Sequence, residues 1–321
     1  MNNHASSGKK ISLVVDEEGE NVRIDSWLAS RFPDQSRTYF QYLIEHGHVL
    51  CNGEGVKKRI KVMSGDLIEA HLLPTVDIAL EPENIAFTIV YEDDDIIVVD
   101  KPSGLIVHPA PGHWTGTFVN GLLYHCKNLP EGDDLLRPGI VHRLDKGTSG
   151  VMVAAKTYEA RQNLVDQFTA RKVGKEYLAI TVGKPSEEHV DHAIKRHPYR
   201  PHLRILTEEG DVGKDASTFF EVLAYSEQLA LVRAKPITGR THQIRLHLKG
   251  QGTPILGDAF YGSEKANNRF DAPRLCLHAY KLSFYHPTTQ EKVTFCAELP
   301  DDMYNIIRQI NPDYLAAERT S

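Results

Sequence analysis

The sequence contains one stretch in which an arginine and an aspartate lie beside a glycine-rich turn. Residues 139–156 read GIVHRLDKGTSGVMVAAK, a pattern that predicts two apolar strands joined by a tight polar turn. Arg143 and Asp145 fall at the mouth of that turn, where a rigid hairpin would present them outward. Aspartate also caps turns without any chemical role, and the hairpin by itself favours that simpler interpretation.

Three further polar islands follow the ends of predicted strands. They are Lys101 with Pro102, Tyr177, and Arg240 in a Thr-Gly-Arg turn that could open a helix. Each has a structural explanation when taken alone. Arg240 could form a structural ion pair, Tyr177 could be an ordinary strand aromatic, and Lys101 could simply end a strand. Only their combination in a fixed order favours a functional site.

The ordered set resembles the signature of the RluA-type pseudouridine synthases, in particular the RluD-like branch that modifies large-subunit ribosomal RNA. The resemblance covers the chain from about residue 89 to its end. The matching segments are HRLDxxTSG at 142–150, GKEY at 174–177, TGRTHQIRxH at 238–247, the glycine-rich loop at 257–262 and LHAxxLxFxHP at 277–287. Several long motifs in one order are far more specific than a single short motif.

The resemblance implies roles for individual residues. Asp145 would be the catalytic carboxylate, Arg240 its ion-pair partner, and Tyr177 the ring stacked on the target uracil. Arg143 matches the position suggested to fill the gap that a base leaves in its RNA helix. The resemblance also implies RNA contacts by Lys101 and His242, and neither a metal nor a cofactor.

The implied reaction suits these residue types. Conversion of uridine to pseudouridine breaks the N-glycosidic bond, turns the uracil over and rejoins it through carbon five. An extruded base is held by stacking, which is worth about 1–3 kcal/mol. The carboxylate of Asp145 could attack the anomeric carbon or remove a ribose proton, and the sequence leaves both routes open. Hydrolytic glycosidases use a second facing carboxylate, for which Asp258 is the only nearby candidate.

The N-terminal part of the chain predicts a separate small unit with two helices and a hairpin. Ser36 is a natural N-cap for the second helix, Gly47 ends that helix, and Asn52-Gly53 predicts a tight turn. Residues 22–72 resemble the S-four RNA-binding domain of a small-subunit ribosomal protein. The resemblance and the local charge imply RNA contacts here. The residues concerned are Arg37 and the basic cluster of Lys57, Lys58 and Arg59.

The predicted elements define the fold class and the domains. Many strands with few intervening helices predict an α+β protein, and the resemblance implies the pseudouridine synthase fold. We therefore expect a mainly antiparallel mixed sheet in the catalytic domain and a small N-terminal α/β RNA-binding domain. The expected divisions are a flexible N-terminus at 1–15, the small domain at 16–75, a linker at 76–88 and the catalytic domain at 89–321.

The composition limits the other possibilities. The 321 residues are 41% hydrophobic and 25% charged, which is typical of a globular protein of about two domains. No apolar run reaches the roughly 20 residues that span a bilayer, and we expect a cytoplasmic protein. The four cysteines lie far apart and predict neither a zinc site nor disulfides. The net charge of −6 conceals a basic segment at 171–204, with eight Lys or Arg residues and four acidic ones.

These observations favour an isomerase that converts specific uridines of large-subunit (23S) ribosomal RNA, acting as a monomer on the large-subunit precursor. Two other functions stay open. The first is a non-catalytic RNA-binding factor for ribosome assembly. The second is a metal-dependent hydrolase built on His142, His242 and His247, although these histidines lack a clear carboxylate or cysteine ligand set.

Overall fold

The computed structural model describes residues 9–33, 35, 37–57, 60–73, 80–109, 113–126, 129–130, 136–200 and 202–311. Their contacts divide the chain into two units. The first consists of described residues within 1–85, 108–127 and 131–138, and the second of those within 86–107, 128–130 and 139–321. No helix among the described residues is long and apolar enough to cross a membrane.

The described part of the first unit contains three α-helices and a four-stranded antiparallel sheet. The helices are α1 (Ile24–Arg31), α2 (Arg37–Glu45) and α3 (Phe118–His125). The strands β1 (Lys9–Val14), β2 (Val49–Cys51), β3 (Glu54–Gly55) and β4 (Leu67–Leu72) lie in the order β1-β4-β2-β3. Asn52 and Gly53 both have positive φ, of 53° and 80°, which confirms the predicted hairpin turn. The proposed N-cap Ser36 lies outside the described residues.

Strand β1 corrects the expectation of a flexible segment over residues 1–15. Residues 9–14 pair antiparallel with β4 along its whole length. Ile11 and Leu13 alternate with exposed neighbours and pack against the apolar core of this unit. This two-residue alternation is the sequence signal for a half-buried strand, but it is short enough to overlook beside a polar N-terminus.

The second unit is built on a nine-stranded mixed sheet. Its strands are β5 (Thr88–Glu92), β6 (Ile96–Lys101), β7 (Ser149–Ala155), β8 (Gly174–Val182), β9 (His189–Asp191), β12 (Ser217–Tyr225), β13 (Leu229–Pro236), β14 (Leu277–Tyr285) and β15 (Lys292–Cys296). They lie in the order β5-β6-β7-β14-β8-β13-β12-β9, with β15 also paired to β14. Among these named strands only β7 and β14 pair in parallel. The predicted α+β class with a mainly antiparallel mixed sheet is confirmed.

The described part of the second unit contains six further elements. They are α4 (Tyr158–Thr169), β10 (Ile194–Arg196), β11 (Arg204–Leu206), α5 (Gln243–Gly250), α6 (Glu264–Arg269) and α7 (Asp301–Ile310). Strands β10 and β11 form a separate two-stranded sheet. Buried side chains of α5 and α7 share one apolar cluster with β8 and β13, and this cluster forms the largest part of the core.

The hairpin predicted over residues 139–156 forms only in part. Its second strand is β7, whereas residues 141–148 are irregular and Ile140 makes one isolated bridge to Ala154. The reason lies in the sheet, because β6 pairs along one edge of β7 and β14 occupies the beginning of the other. The segment before β7 therefore leaves the sheet as a loop, and this loop carries Asp145.

Candidate active site

The loop that carries Asp145 is held by contacts with the segment after β6. Gly104 N donates to Lys146 O at 2.7 Å, and Ser103 Oγ donates to Gly147 O at 2.8 Å. The neighbouring side chain of Leu144 is buried. These contacts fix the loop on the sheet, while the side chain of Asp145 keeps about 20% of its surface exposed. The carboxylate therefore has a defined place and access to a ligand.

Asp145 faces a cavity of about 510 Å³ within the second unit. The cavity brings together residues from the loop before β7, the C-terminal end of α4, β8 and the first turn of α5. Its charged and polar walls include Arg143, Asp145, Arg171, Lys175, Tyr177, Arg240, His242 and Arg245. Five of the residues predicted as functional from the sequence thus line one cavity: Arg143, Asp145, Tyr177, Arg240 and His242.

The ion-pair partner of Asp145 is Arg245, and the expectation that Arg240 fills this role is wrong. Arg245 Nη1 lies 3.1 Å from Asp145 Oδ2. Arg240 instead donates from Nε to Asp215 O at 3.1 Å. Both arginines belong to the TGRTHQIRxH segment, but α5 begins between them. Arg245 is buried on the helix, whereas Arg240 stays in the turn before it.

Asp258 fixes the orientation of Arg245. Its two carboxylate oxygens accept hydrogen bonds from Arg245 Nε and Nη2, each at 2.8 Å. One of these oxygens also accepts from the backbone N–H groups of Phe260 and Tyr261. Asp258 has no exposed side-chain surface, so it does not activate a water molecule. The glycine-rich loop at 257–262 indicates Asp258 in the sequence, but its pattern does not show that Arg245 is the partner of this carboxylate.

The electrostatics of the pair favour two charged groups. Burial disfavours the charged form of Arg245, but Asp258 and Asp145 outweigh it and raise the pKa of the guanidinium above its usual value. Burial likewise opposes ionisation of Asp258, yet the hydrogen bonds and charge of Arg245 lower the pKa of that carboxyl. Arg245 therefore presents a permanent positive charge to Asp145.

Tyr177 forms another wall of the cavity. It lies in β8, where its backbone pairs with Ala279 of β14 and Ala234 of β13, so the ring projects from the interior of the sheet. Burial and the charge of Asp145 raise the pKa of the phenol well above its usual value of 10.0. The phenol is therefore neutral at physiological pH, and the residue lines the cavity.

His242 lies close to the carboxylate. It occupies the N-cap position of α5 with φ of 60°, and its Nε2 lies 3.9 Å from Asp145 Oδ2. Its Nδ1 hydrogen-bonds to Tyr261 Oη at 2.8 Å. Burial lowers the pKa of His242 to about 4, so the ring is neutral near pH 7.

The ammonium of Lys101 lies inside the protein, which corrects the assignment of this residue as an RNA contact. Its side chain is completely buried, and Nζ donates to the carbonyl oxygens of Pro102 and Leu105, each at 2.9 Å. Burial lowers the pKa of this lysine to about 7. The Lys-Pro pair organises the segment that supports the Asp145 loop. The pattern located it correctly but could not show that the ammonium points inward.

The three histidines considered as metal ligands use their ring nitrogens for different partners. His142 Nε2 accepts from Val153 N at 3.0 Å, and the ring stacks on Phe168. His247 bonds to Thr218 Oγ1 and His192 O at 2.9 and 3.0 Å. With His242 directed at Tyr261, these three described residues do not form a common ligand set.

Of the RNA contacts predicted for the first unit, Arg37 and Lys57 belong to the described residues, and neither lines this cavity. Arg37 Nε pairs with the buried carboxylate of Asp25 at 2.9 Å and keeps 43% of its side chain exposed. Arg23 binds the same carboxylate through two nitrogens. Lys57 is exposed, and Lys58 and Arg59 lie outside the described residues.

Comparisons with known proteins identify the class to which this fold and cavity belong. A family described as RNA pseudouridylate synthase matches residues 95–249, and the S4 domain matches residues 22–68. The chain belongs to the RNA pseudouridine synthase family and is an enzyme of that class. The non-catalytic assembly factor and the metal-dependent hydrolase are thereby set aside.

Particular relatives show how far the likeness extends. A protein of Aquifex aeolicus described as an uncharacterized RNA pseudouridine synthase is 42% identical over 309 residues, which cover 92% of this chain and 97% of the relative. Ribosomal large subunit pseudouridine synthase D of Neisseria meningitidis is 40% identical over 308 residues, covering 93% and 81% of the two chains. The solved structure of human RNA pseudouridylate synthase domain containing 4 has a TM-score of 0.54 at 27% identity, over 70% of this chain and 92% of that one.

Proposed function

We propose that this enzyme converts specific uridines of large-subunit (23S) ribosomal RNA to pseudouridine, with Asp145 as the catalytic carboxylate. The name of the Neisseria meningitidis relative supports the choice of substrate. The observation that carries the catalytic assignment is the 3.1 Å contact between Asp145 and Arg245 at a cavity that Tyr177 also lines.

The proposed chemistry follows from the charge that develops on the ribose. Breaking the N-glycosidic bond leaves positive character at the anomeric carbon, and the carboxylate of Asp145 stabilises it by attack or by taking a ribose proton. Arg245 holds the carboxylate in one orientation and balances its charge. Asp258 is fully engaged with Arg245, so among the described residues the proposed site has one reacting carboxylate and no facing acid to activate water.

The base and the RNA are held by other residues. In this proposal Tyr177 stacks on the extruded uracil, and Arg143, which is exposed at the cavity, fills the space that the base leaves in its helix. His242, neutral and 3.9 Å from the carboxylate, completes the wall beside the ribose. Arg37 and the Lys57, Lys58 and Arg59 cluster contact RNA phosphates through the first unit.

The proposed organisation assigns RNA binding to the small N-terminal domain, extended by β1 to residues 9–75, a linking role to 76–88 and the chemical step to 89–321. The enzyme acts as a monomer, in the cytoplasm, on the precursor of the large subunit. It requires neither a metal nor an organic cofactor, because Asp145, Arg245 and Tyr177 supply the charge and the stacking surface that the isomerisation needs.

Mapping of modified uridines tests the proposed substrate. Pseudouridines in large-subunit RNA are compared between cells that contain and cells that lack this protein, and the purified enzyme is then supplied with unmodified large-subunit RNA. We expect a small set of uridines to lose the modification in the cells and to regain it in the tube. Identical maps in the two kinds of cells would contradict the assignment.

A further inference from the structure

Three cationic side chains share one region of the cavity and take no part in the pair that Asp145 forms. Arg171 follows α4, Lys175 lies in β8, and Arg240 lies in the turn before α5. These elements are far apart in sequence, so the fold has gathered three positive charges at one place. Since Arg245 is the partner of Asp145, Arg240 is available for another role.

Within the part of the chain that the structure describes, no carboxylate balances the charges of this cationic cluster (Arg171, Lys175 and Arg240). No carboxylate of the described residues lies within ion-pair distance of any of the three, and Glu176, next in sequence to Lys175, pairs with Arg233 instead. Lys175 Nζ donates to Thr238 O at 3.3 Å, and Arg240 donates to a backbone carbonyl. Uncharged acceptors leave the positive charge of the cluster in place.

The cost of this arrangement is visible at Lys175. Burial, together with the nearby charges of Arg171 and Arg240, lowers the pKa of its ammonium to about 8. A bound anion would relieve the repulsion among the three side chains. Two guanidinium groups and an ammonium suit a phosphate, because arginine binds its oxygens in pairs and lysine adds a point charge.

We propose that Arg171, Lys175 and Arg240 bind the backbone phosphate that adjoins the target uridine, on its 5′ or its 3′ side. This inference rests on the proposed function, since Asp145 and Tyr177 hold the ribose and the base of that same nucleotide. An RNA strand entering the cavity must bring a phosphodiester with each ribose, and the cationic cluster lines the same cavity as both residues. The phosphate anchors the nucleotide while the base is turned over.

Neutral phosphate analogues test this site directly. Stem-loop RNAs containing the mapped uridine are made with a single methylphosphonate at each position around it, and kcat/KM is measured for the wild type, Lys175→Gln and Arg171→Gln. Arg171 is exposed, so its variant remains informative if Lys175→Gln folds poorly. Lys172→Gln is the matched control, because Lys172 is also exposed but does not line the cavity.

We expect one methylphosphonate, directly 5′ or 3′ of the uridine, to lower kcat/KM of the wild type and of Lys172→Gln by about 10-fold. The same analogue should have little further effect on Lys175→Gln or Arg171→Gln, whose own loss should appear mainly in KM. At every position, the analogue could instead lower kcat/KM of Lys175→Gln and Arg171→Gln by the same factor as in the wild type. In that case the cluster does not bind that phosphate and the inference is overturned.

A binding measurement separates this inference from the proposed function. The dissociation constants of the same RNAs are measured with Asp145→Asn, alone and combined with Lys175→Gln or Arg171→Gln. The phosphate site is supported if one methylphosphonate raises the dissociation constant of Asp145→Asn but raises it little further in the combined variants. This result does not depend on whether the wild type makes pseudouridine. Absence of turnover by the wild type on every mapped RNA would instead contradict the proposed function, and equal binding of all analogues would overturn the phosphate site alone.

Discussion

At the scale of single residues, Arg245 connects the carboxylate of Asp145 to the interior of the second unit. It bonds to Asp145 on one side and to Asp258 on the other, so a single guanidinium links the cavity to a buried anion. The TGRTHQIRxH segment contains both arginines, and the resemblance assigned the pairing to Arg240 instead of Arg245. The choice depends on the residue at which α5 begins, and boundaries of helices are the part of a pattern that is least well defined.

Removal of Arg245 should impair the chemical step more than RNA binding. We expect Arg245→Gln to lower kcat by at least about 100-fold, because an interaction with the reacting carboxylate is lost. Arg240→Gln should act mainly on KM, as a phosphate contact would. Steady-state kinetics on a mapped stem-loop give both values. Equal effects of the two substitutions on kcat would contradict the assignment of Arg245 as the partner of Asp145.

Substitution of Asp258 should reduce stability as well as activity. Asp258→Asn keeps the volume but leaves the buried Arg245 without its main counterion, a change that costs roughly 3–5 kcal/mol in buried pairs. The loss of orientation should lower kcat by about 10- to 100-fold, as for groups that orient a functional side chain. Urea unfolding and kinetics measure the two effects. Full stability together with full activity in the variant would show that the pair is dispensable.

The same carboxyl predicts part of the acid sensitivity of the protein. The folded-state pKa of Asp258 lies below the ordinary value of 3.8, so its contribution to stability is complete above that pH and is lost as the pH falls further. We expect the stability difference between the wild type and Asp258→Asn to shrink as the pH decreases below about 4. Urea unfolding at pH 3 to 7 measures it, and a constant difference over this range would contradict the charged pair.

At the scale of elements, the site depends on the close approach of β7 and β14. Gly150 has φ of +117°, and a Cβ at this position would lie 2.2 Å from Ala279 O. Ala279 pairs in turn with Tyr177 of β8, so the same contact supports the ring in the cavity. The glycine requirement was visible in the TSG sequence, but the strand that approaches it was not.

Gly150→Ala should therefore disrupt the sheet beneath the site. Backbone strain and overpacking together should lower the free energy of unfolding by about 3–5 kcal/mol or prevent folding. Gly174→Ala is the matched control, since its added Cβ would meet Ser283 Cβ at an ordinary 3.4 Å. Urea unfolding compares the two. A loss of less than about 1 kcal/mol for Gly150→Ala would contradict the tight contact.

Local sequence patterns predicted most helices and strands but not which strands pair along the edges of β7. The apolar spacing over 158–169 predicts a helix and the apolar run over 176–182 predicts a strand. The structure has α4 at Tyr158–Thr169 and β8 ending at Val182, so both predictions are confirmed. The first strand of the expected hairpin failed because β6 and β14 take the edges of β7, which is a tertiary effect. The burial of Lys101 is also a tertiary effect, because no local sequence signal shows whether a lysine side chain points into the protein or toward solvent.

At the scale of the whole molecule, the two units carry separable tasks in the proposed function. Charge reversal of Lys57, Lys58 and Arg59 to Glu should weaken RNA binding and reduce the slope of log affinity against log salt by about 2–3. The single-turnover rate on saturating RNA should stay the same, because Asp145 is untouched. Lys292→Glu, at an exposed position of β15, is the control. A collapse of the single-turnover rate would contradict the division of tasks.

The role of Asp145 is tested most directly by substrate labelled with tritium at carbon five of uridine. Pseudouridine formation replaces that hydrogen, so tritium release reports the complete reaction. With Asp145→Asn we expect release to fall by at least about 1,000-fold, while the dissociation constant for the same RNA changes by less than about threefold. Release at the wild-type rate by this variant would contradict the assignment of Asp145 as the catalytic carboxylate.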